Sequence, residues 1–306
     1  MAIHHLVNEK YRIAVDAKGA ELTSLLTHGK EYIWSGDSAW WGKSSPLLFP
    51  IIGRVPDGAY SWRGRVYKMT KHGFVRDQVF NLVQSSDEHL KFQLKPEYLS
   101  ADRRSWVLEN YPFDFILTIT FQLRDDALHI GWEVENPGDE CLPFSIGAHP
   151  ALVFPFPSDR ESISVDSMIM DFQRPITVER LFLNEDGLRN GLSETLIDGE
   201  SELRLNSNMF KDDCIQFRLP SSLNAVTLRN SISSSVIKLH FNGFTHFGIW
   251  TPYRRGKSSP FLCLEPWYGN DSSASDDGSF ENKEGIIVLE PGAVFEAGYS
   301  LAVGNE

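Results

Sequence analysis

The chain has 306 residues, 42% of them hydrophobic, with 41 acidic against 29 basic side chains and a formal net charge of −12. That much apolar material supplies a sizeable core and argues against disorder, while the acidic balance argues against binding nucleic acid or anionic membranes, whose phosphates repel it. No apolar run approaches the roughly 20 residues that span a bilayer, and three cysteines, Cys141, Cys214 and Cys263, show no pattern of a disulfide framework.

Reading from the N-terminus, alternation with a period of two dominates. The first ten residues lack a charged start followed by an apolar core, so no leader is expected, and residues 11–15 read as a strand. Phe49-Pro50-Ile51-Ile52-Gly53 is an apolar segment that closes on Arg54. A planar guanidinium there suits either adjacent hydroxyls or a structural ion pair. Residues 60–69 read as one strand, followed by Lys71-His72-Gly73-Phe74-Val75-Arg76. Gly73 permits unusual backbone angles or the close approach of a ligand. His72 is then either a site residue or an ordinary surface histidine, and Arg76 supports it or is structural. Residues 89–94 form the next strand and 97–105 a short helix or a helical turn. Residues 115–123, rich in β-branched and aromatic side chains, run into the charged turn Arg124-Asp125-Asp126, a second strand over 128–135, and the stop Asn136-Pro137-Gly138-Asp139.

His149 follows Ile146-Gly147-Ala148 and precedes Pro150. Its small neighbours leave room for a reacting group, and an imidazole can give or take a proton near neutral pH; a core histidine satisfied by backbone is the alternative. Residues 179–190 fit a helix or a strand. In Phe210-Lys211-Asp212-Asp213-Cys214, Asp213 either accepts hydrogen bonds from ligand hydroxyls or caps a turn, and the spacing does not separate it from Asp212. Strands follow at 215–219, 225–228 and 236–241. Arg254-Arg255-Gly256-Lys257 is a basic loop, either solvated or suited to a phosphate group.

Phe261-Leu262-Cys263-Leu264 reads as a strand buried on both faces, with Glu265 at its end. Lost hydration raises such a carboxyl toward neutrality, where a general base works best. Pro266 favours an extended conformation, and Trp267 offers a flat apolar wall. A buried glutamate paired with an arginine is the structural alternative. Residues 270–279, rich in Asp and Ser, do not match EF-hand spacing and read as a solvated loop. Strands at 286–289 and 294–301 complete the chain. Many short strands with frequent turns predict one all-β domain over residues 1–306, a sandwich or a barrel.

Arg54, His72, His149, Asp213 and Glu265 stand in an order and at intervals similar to those of the aldose 1-epimerase (galactose mutarotase) superfamily. The phrases around them, from Phe49-Pro50-Ile51-Ile52-Gly53-Arg54 to Cys263-Leu264-Glu265-Pro266-Trp267, resemble its LacX-like branch in particular. The resemblance covers nearly the whole chain and implies a large antiparallel β-sandwich with the site on a concave face. It implies that Glu265 removes the proton of a sugar C1 hydroxyl, that His149 protonates the ring oxygen, and that His72 holds that oxygen in place. Arg54 and Asp213 are the implied substrate-binding residues, and the local reading adds Arg76 and Trp267 to them. No metal and no organic cofactor is expected, since only protons move. The expected protein is a cytoplasmic monomer or homodimer whose partner is a small-molecule sugar. Galactose mutarotases carry an Asp-His pair where this chain has Asp213-Cys214, so the resemblance leaves the sugar open. Three alternatives remain: a hexose-6-phosphate 1-epimerase using Arg76 and residues 254–257 as a clamp, a non-catalytic carbohydrate-binding protein, and a glycosidase using Asp213 and Glu265.

Overall fold

The computed structural model describes residues 2–153, 164–230 and 234–305. The sequence alternation becomes antiparallel pairing. Ile116–Arg124 pairs with Ala127–Glu135, with Phe121 opposite Ile130, through a turn in which Asp125 and Asp126 both take left-handed backbone angles. That geometry matches the twist of the flanking strands. Leu117, Ile119 and Phe121 on one strand and Ile130, Trp132 and Val134 on the other are buried, so every second side chain enters the core.

Among the described residues the largest sheet holds 15 strands. One end runs from Leu47–Leu48 through Ile146–Ala148, Leu262–Tyr268, His246–Trp250 and Ile215–Arg218 to Met168–Leu183. From there the sheet continues through Ala225–Asn230, Ser235–Phe241 and Val294–Asn305 to Ala127–Glu135 and its neighbours. A four-stranded sheet, Ile3–Val7, Tyr11–Asp16, Glu21–Thr27 and Lys30–Glu31, adds Leu6, Ile13, Val15, Leu22 and Leu25 to the same apolar core. The architecture is the large antiparallel β-sandwich expected from the sequence.

Four local expectations change. Residues 60–69 are a hairpin, Ala59–Trp62 and Arg65–Lys68, because Arg63 and Gly64 both adopt positive φ and reverse the chain. The helix is Ala101–Asn110, later than expected; Pro96 starts a separate 3-10 turn, Pro96–Tyr98, and Pro112 excludes helical angles at Tyr111. The stretch 179–190 closes a long hairpin between Met168–Leu183 and Arg189–Arg204. Much of Arg189–Arg204 is exposed, so it shows no apolar alternation to read. Finally, 270–279 is a solvated loop only in part: Asn270, Asp271 and Ser272 are buried. Their polar groups find distant partners, Arg189 Nε donating to the Asp271 carbonyl at 2.9 Å and the Ser272 N–H to the Arg54 carbonyl at 3.3 Å.

Candidate active site

Glu265 lies in Leu262–Tyr268, between two partner strands. On one side it faces Gly248; on the other, Gly147 pairs with Trp267 and Ala151 pairs with Cys263. His149 sits between those two pairings, next to Pro150, which cannot donate to the ladder. The register is the same on either side of this break, so His149 lies opposite Glu265, and His149 Nε2 comes to 3.3 Å from Glu265 Oε1. Trp267 lies against the same two glycines. A Cβ on Gly147 or on Gly248 would fall 2.5 Å from its indole, so only glycine leaves the ring its place.

His72 is held by its backbone. Its N–H donates to the Gly53 carbonyl at 2.7 Å, and the Gly53 N–H donates to His72 Nδ1 at 3.0 Å. With Nδ1 accepting, the ring proton resides on Nε2, so His72 offers an N–H donor to a ligand. Asp213, also at positive φ, accepts from Trp250 Nε1 at 2.7 Å and lies 3.9 Å from Lys71 Nζ. Asp212 pairs with Lys211 at 3.9 Å instead.

These groups surround a cavity of about 140 Å³ lined by Trp41, Lys71, His72, Arg76, His149, Leu183, Asp213, Cys214, Trp250, Glu265, Trp267 and Asp271. Trp41 stacks on His149 with ring centres 4.7 Å apart, and His72 meets His149 edge-on at 5.8 Å. Of the residues picked from the sequence, the cavity gathers His72, His149, Asp213, Glu265, Arg76 and Trp267. Arg54 is exposed and lines a neighbouring cleft of about 620 Å³ that shares Lys71. Arg76 donates to the Lys71 carbonyl at 2.8 Å. Arg254 donates to the Ala39 carbonyl and covers the Trp40 ring at 4.3 Å, so that basic loop is engaged away from the cavity. Trp41, Lys71, Trp250 and Asp271 escaped the sequence reading. Aromatic richness was the signal for the tryptophans, but nothing local marked Asp271, whose carboxylate fills the space a Cβ on Gly53 would need.

Burial sets the protonation states. It pushes the Glu265 carboxyl well above the ordinary range; Asp271 and Asp213 add to the rise, while Lys71 opposes it. Burial pulls His149 down to about 3, with Lys71 contributing in the same direction. His72 is also driven well below its usual value, by burial and then Lys71. Burial therefore favours a protonated Glu265 carboxyl beside a neutral His149 imidazole.

These directions predict acid sensitivity of the fold. His72, His149 and His246, the last lowered by burial to about 4, stay neutral in the folded chain while the unfolded chain protonates them below about pH 6.5. The unfolded state then binds up to three more protons. Glu265 and Asp271, raised by burial, give back at most two, because the folded state holds their protons first. Once the unfolded histidines are largely protonated, near pH 5, stability should fall as pH drops, by roughly 1.4 kcal/mol per pH unit for each net proton. Denaturant titrations at several pH values test this; a flat or rising stability below pH 5 contradicts it.

A family model described as aldose 1-epimerase matches residues 3–302. The chain is 27% identical over 309 residues to the chromosomal protein LacX of Lactococcus lactis subsp. lactis, covering 98% of this chain and 99% of that protein. It is similar to the structure of a galactose mutarotase related enzyme from Lactobacillus acidophilus, with TM-score 0.89, 26% identity, and coverage of 99% of this chain and 98% of that one. A galactose mutarotase-like protein from Lactobacillus casei ATCC 334 gives TM-score 0.88 and 26% identity, covering 99% and 100% of the two chains.

Proposed function

Because the chain belongs to the aldose 1-epimerase family, we propose that it interconverts the α and β anomers of an unphosphorylated hexose, working as a single β-sandwich domain. The observation that carries this reading is the buried His149–Glu265 pair, 3.3 Å apart on one wall of the cavity. Two adjacent groups sharing one proton can deprotonate one oxygen and protonate another without net charge transfer to solvent.

Sugar binding lets the shared proton pass from Glu265 to His149. Glu265 then takes the C1 hydroxyl proton as the C1 carbonyl forms and the bond from C1 to the ring oxygen breaks. His149 protonates that oxygen, with the His72 Nε2–H holding it. Rotation about C1–C2 presents the other carbonyl face, and closure reverses both transfers. Asp213 and Asp271 accept hydrogen bonds from hydroxyls, and Trp41, Trp250 and Trp267 face the apolar C–H surfaces. Protons are the only groups that move, so the residues suffice for the chemistry.

The preference for a neutral sugar follows from the state of the cations. Lys71 already lies beside Asp213, and Arg76 donates to a backbone carbonyl. A phosphate would meet one guanidinium that already spends a nitrogen on the Lys71 carbonyl, and a lysine that Asp213 already pairs. Polarimetry of freshly dissolved α-D-glucose, α-D-galactose and glucose 6-phosphate tests the reading. Acceleration of a neutral sugar above the phosphate ester is expected. A faster reaction on the phosphate ester reverses the substrate assignment, and tight sugar binding without acceleration replaces the enzyme by a binding protein.

A further inference from the structure

We propose that His149, Cys263 and Glu265 form a binding site for one Zn2+ ion, and that the ion closes the acid/base pair to sugar. One ligand atom from each of the three residues lies within 4.8 Å of the others, and all three residues are buried. Among the described residues no other group of three such donors was found. Zinc bonds of ~2.0–2.3 Å place tetrahedral ligands roughly 3.3–3.7 Å apart. His149 and Glu265 already stand at 3.3 Å, so only the thiol has to approach. The donor set is nitrogen, sulfur and oxygen, which selects a borderline-soft ion over magnesium or calcium.

Charge and hydrogen bonding point the same way. Apart from the His149 contact at 3.3 Å, both Glu265 oxygens are buried without a hydrogen-bond partner, a costly state that coordination relieves. Glu265 as carboxylate and Cys263 as thiolate offset the charge of the ion, so the complex is neutral in a desolvated place. Binding releases two protons, one from the thiol and the one shared by the His149–Glu265 pair. Lys71 opposes an incoming cation, and Asp213 and Asp271 on the same cavity offset it. The ion enters through the cavity that His149 and Glu265 line, while Cys263 lies behind them, fully buried and outside the lining. The fourth coordination position opens to the cavity, where water completes the shell.

The inhibitory part of this inference rests on the epimerase reading; the binding part does not, and the test separates them. Chelator-treated protein is titrated with Zn2+ by calorimetry and with Co2+ by absorption spectroscopy, and mutarotation is followed in parallel. One ion per chain is expected, with a thiolate-to-cobalt charge-transfer band and mutarotation lost with one equivalent of Zn2+ and restored by chelator. Cys263→Ser should keep mutarotation, lose the band and bind Zn2+ at least ~100-fold more weakly, since even outer partners of metal ligands are worth 10–100-fold. Cys214→Ser should keep both the band and the Zn2+ affinity. Absence of stoichiometric binding, a wild-type cobalt spectrum without the thiolate band, or a band that survives in Cys263→Ser overturns the site. The wild-type spectrum decides even if the variant does not fold. Stoichiometric binding in a protein without mutarotase activity would leave the site standing and remove the epimerase reading.

Discussion

Glu265→Gln is expected to lower kcat for mutarotation by about 10²–10⁴-fold, the usual range for one general acid/base group, with little change in KM or folding. The amide has the shape of the carboxyl it replaces. Burial already favours the neutral form of that carboxyl, and apart from the His149 contact neither of its oxygens has a hydrogen-bond partner. Substitution therefore removes a proton acceptor without breaking a network or stranding a charge, which is what makes the change diagnostic. His149→Ala should cost a similar factor, with some stability as well, because it removes the ring on which Trp41 stacks. The double variant should be little worse than the poorer single one. The two groups share one proton over 3.3 Å, and residues that act as a unit are not additive. Polarimetry gives the rates, and denaturant midpoints separate chemistry from folding. Wild-type turnover in Glu265→Gln would remove the glutamate from the mechanism; losses that multiply in the double variant would show that the two act independently.

Gly73→Ala is expected to destabilise the fold by about 2–5 kcal/mol, combining ~1–2 for a left-handed non-glycine residue with ~1–3 for overpacking. Gly73 has φ +72°, and a Cβ there would lie 2.0 Å from the Phe49 carbonyl oxygen and 2.6 Å from the Pro50 nitrogen. That carbonyl accepts from the Phe74 N–H at 3.1 Å, and the Phe49 ring packs among Tyr111, Phe115 and Phe144. Neither side can retreat cheaply. Gly64→Ala is the control: φ is +77° and nothing lies within 4 Å of its Cβ. It should cost only the conformational ~1–2 kcal/mol. Equal losses at the two positions would show that the Gly73–Phe49 approach is soft. Because His72 adjoins Gly73 and is held by Gly53, Gly73→Ala should also depress mutarotation beyond its effect on the folded fraction.

Fold class was legible in the chain because strand burial is a local pattern. Segments such as residues 115–135 alternate, and alternation needs only a pleated backbone and one apolar face. The pattern fails where burial is absent, as over Arg189–Arg204, exposed along much of its length. Candidate residues embedded in apolar or glycine-rich phrases, His72, His149 and Glu265, announced themselves because a titratable group there conflicts with its surroundings.

The sequence by itself determined an acidic, all-β chain with two histidines and a glutamate placed where hydration is lost. Only the tertiary structure decided that His149 and Glu265 touch, that Asp213 rather than Asp212 faces the cavity, that Arg54 stands outside it, and that Lys71, Asp271 and Trp41 belong beside the pair. The reason is physical. A carboxyl's pKa and reach depend on what surrounds it within a few ångströms, and in an antiparallel sheet such a neighbour can lie more than a hundred residues away, as His149 does from Glu265. Asp271 shows the limit: its burial is made possible by a missing side chain at Gly53 and by Arg189 and Arg54, none of which its own neighbours in sequence reveal.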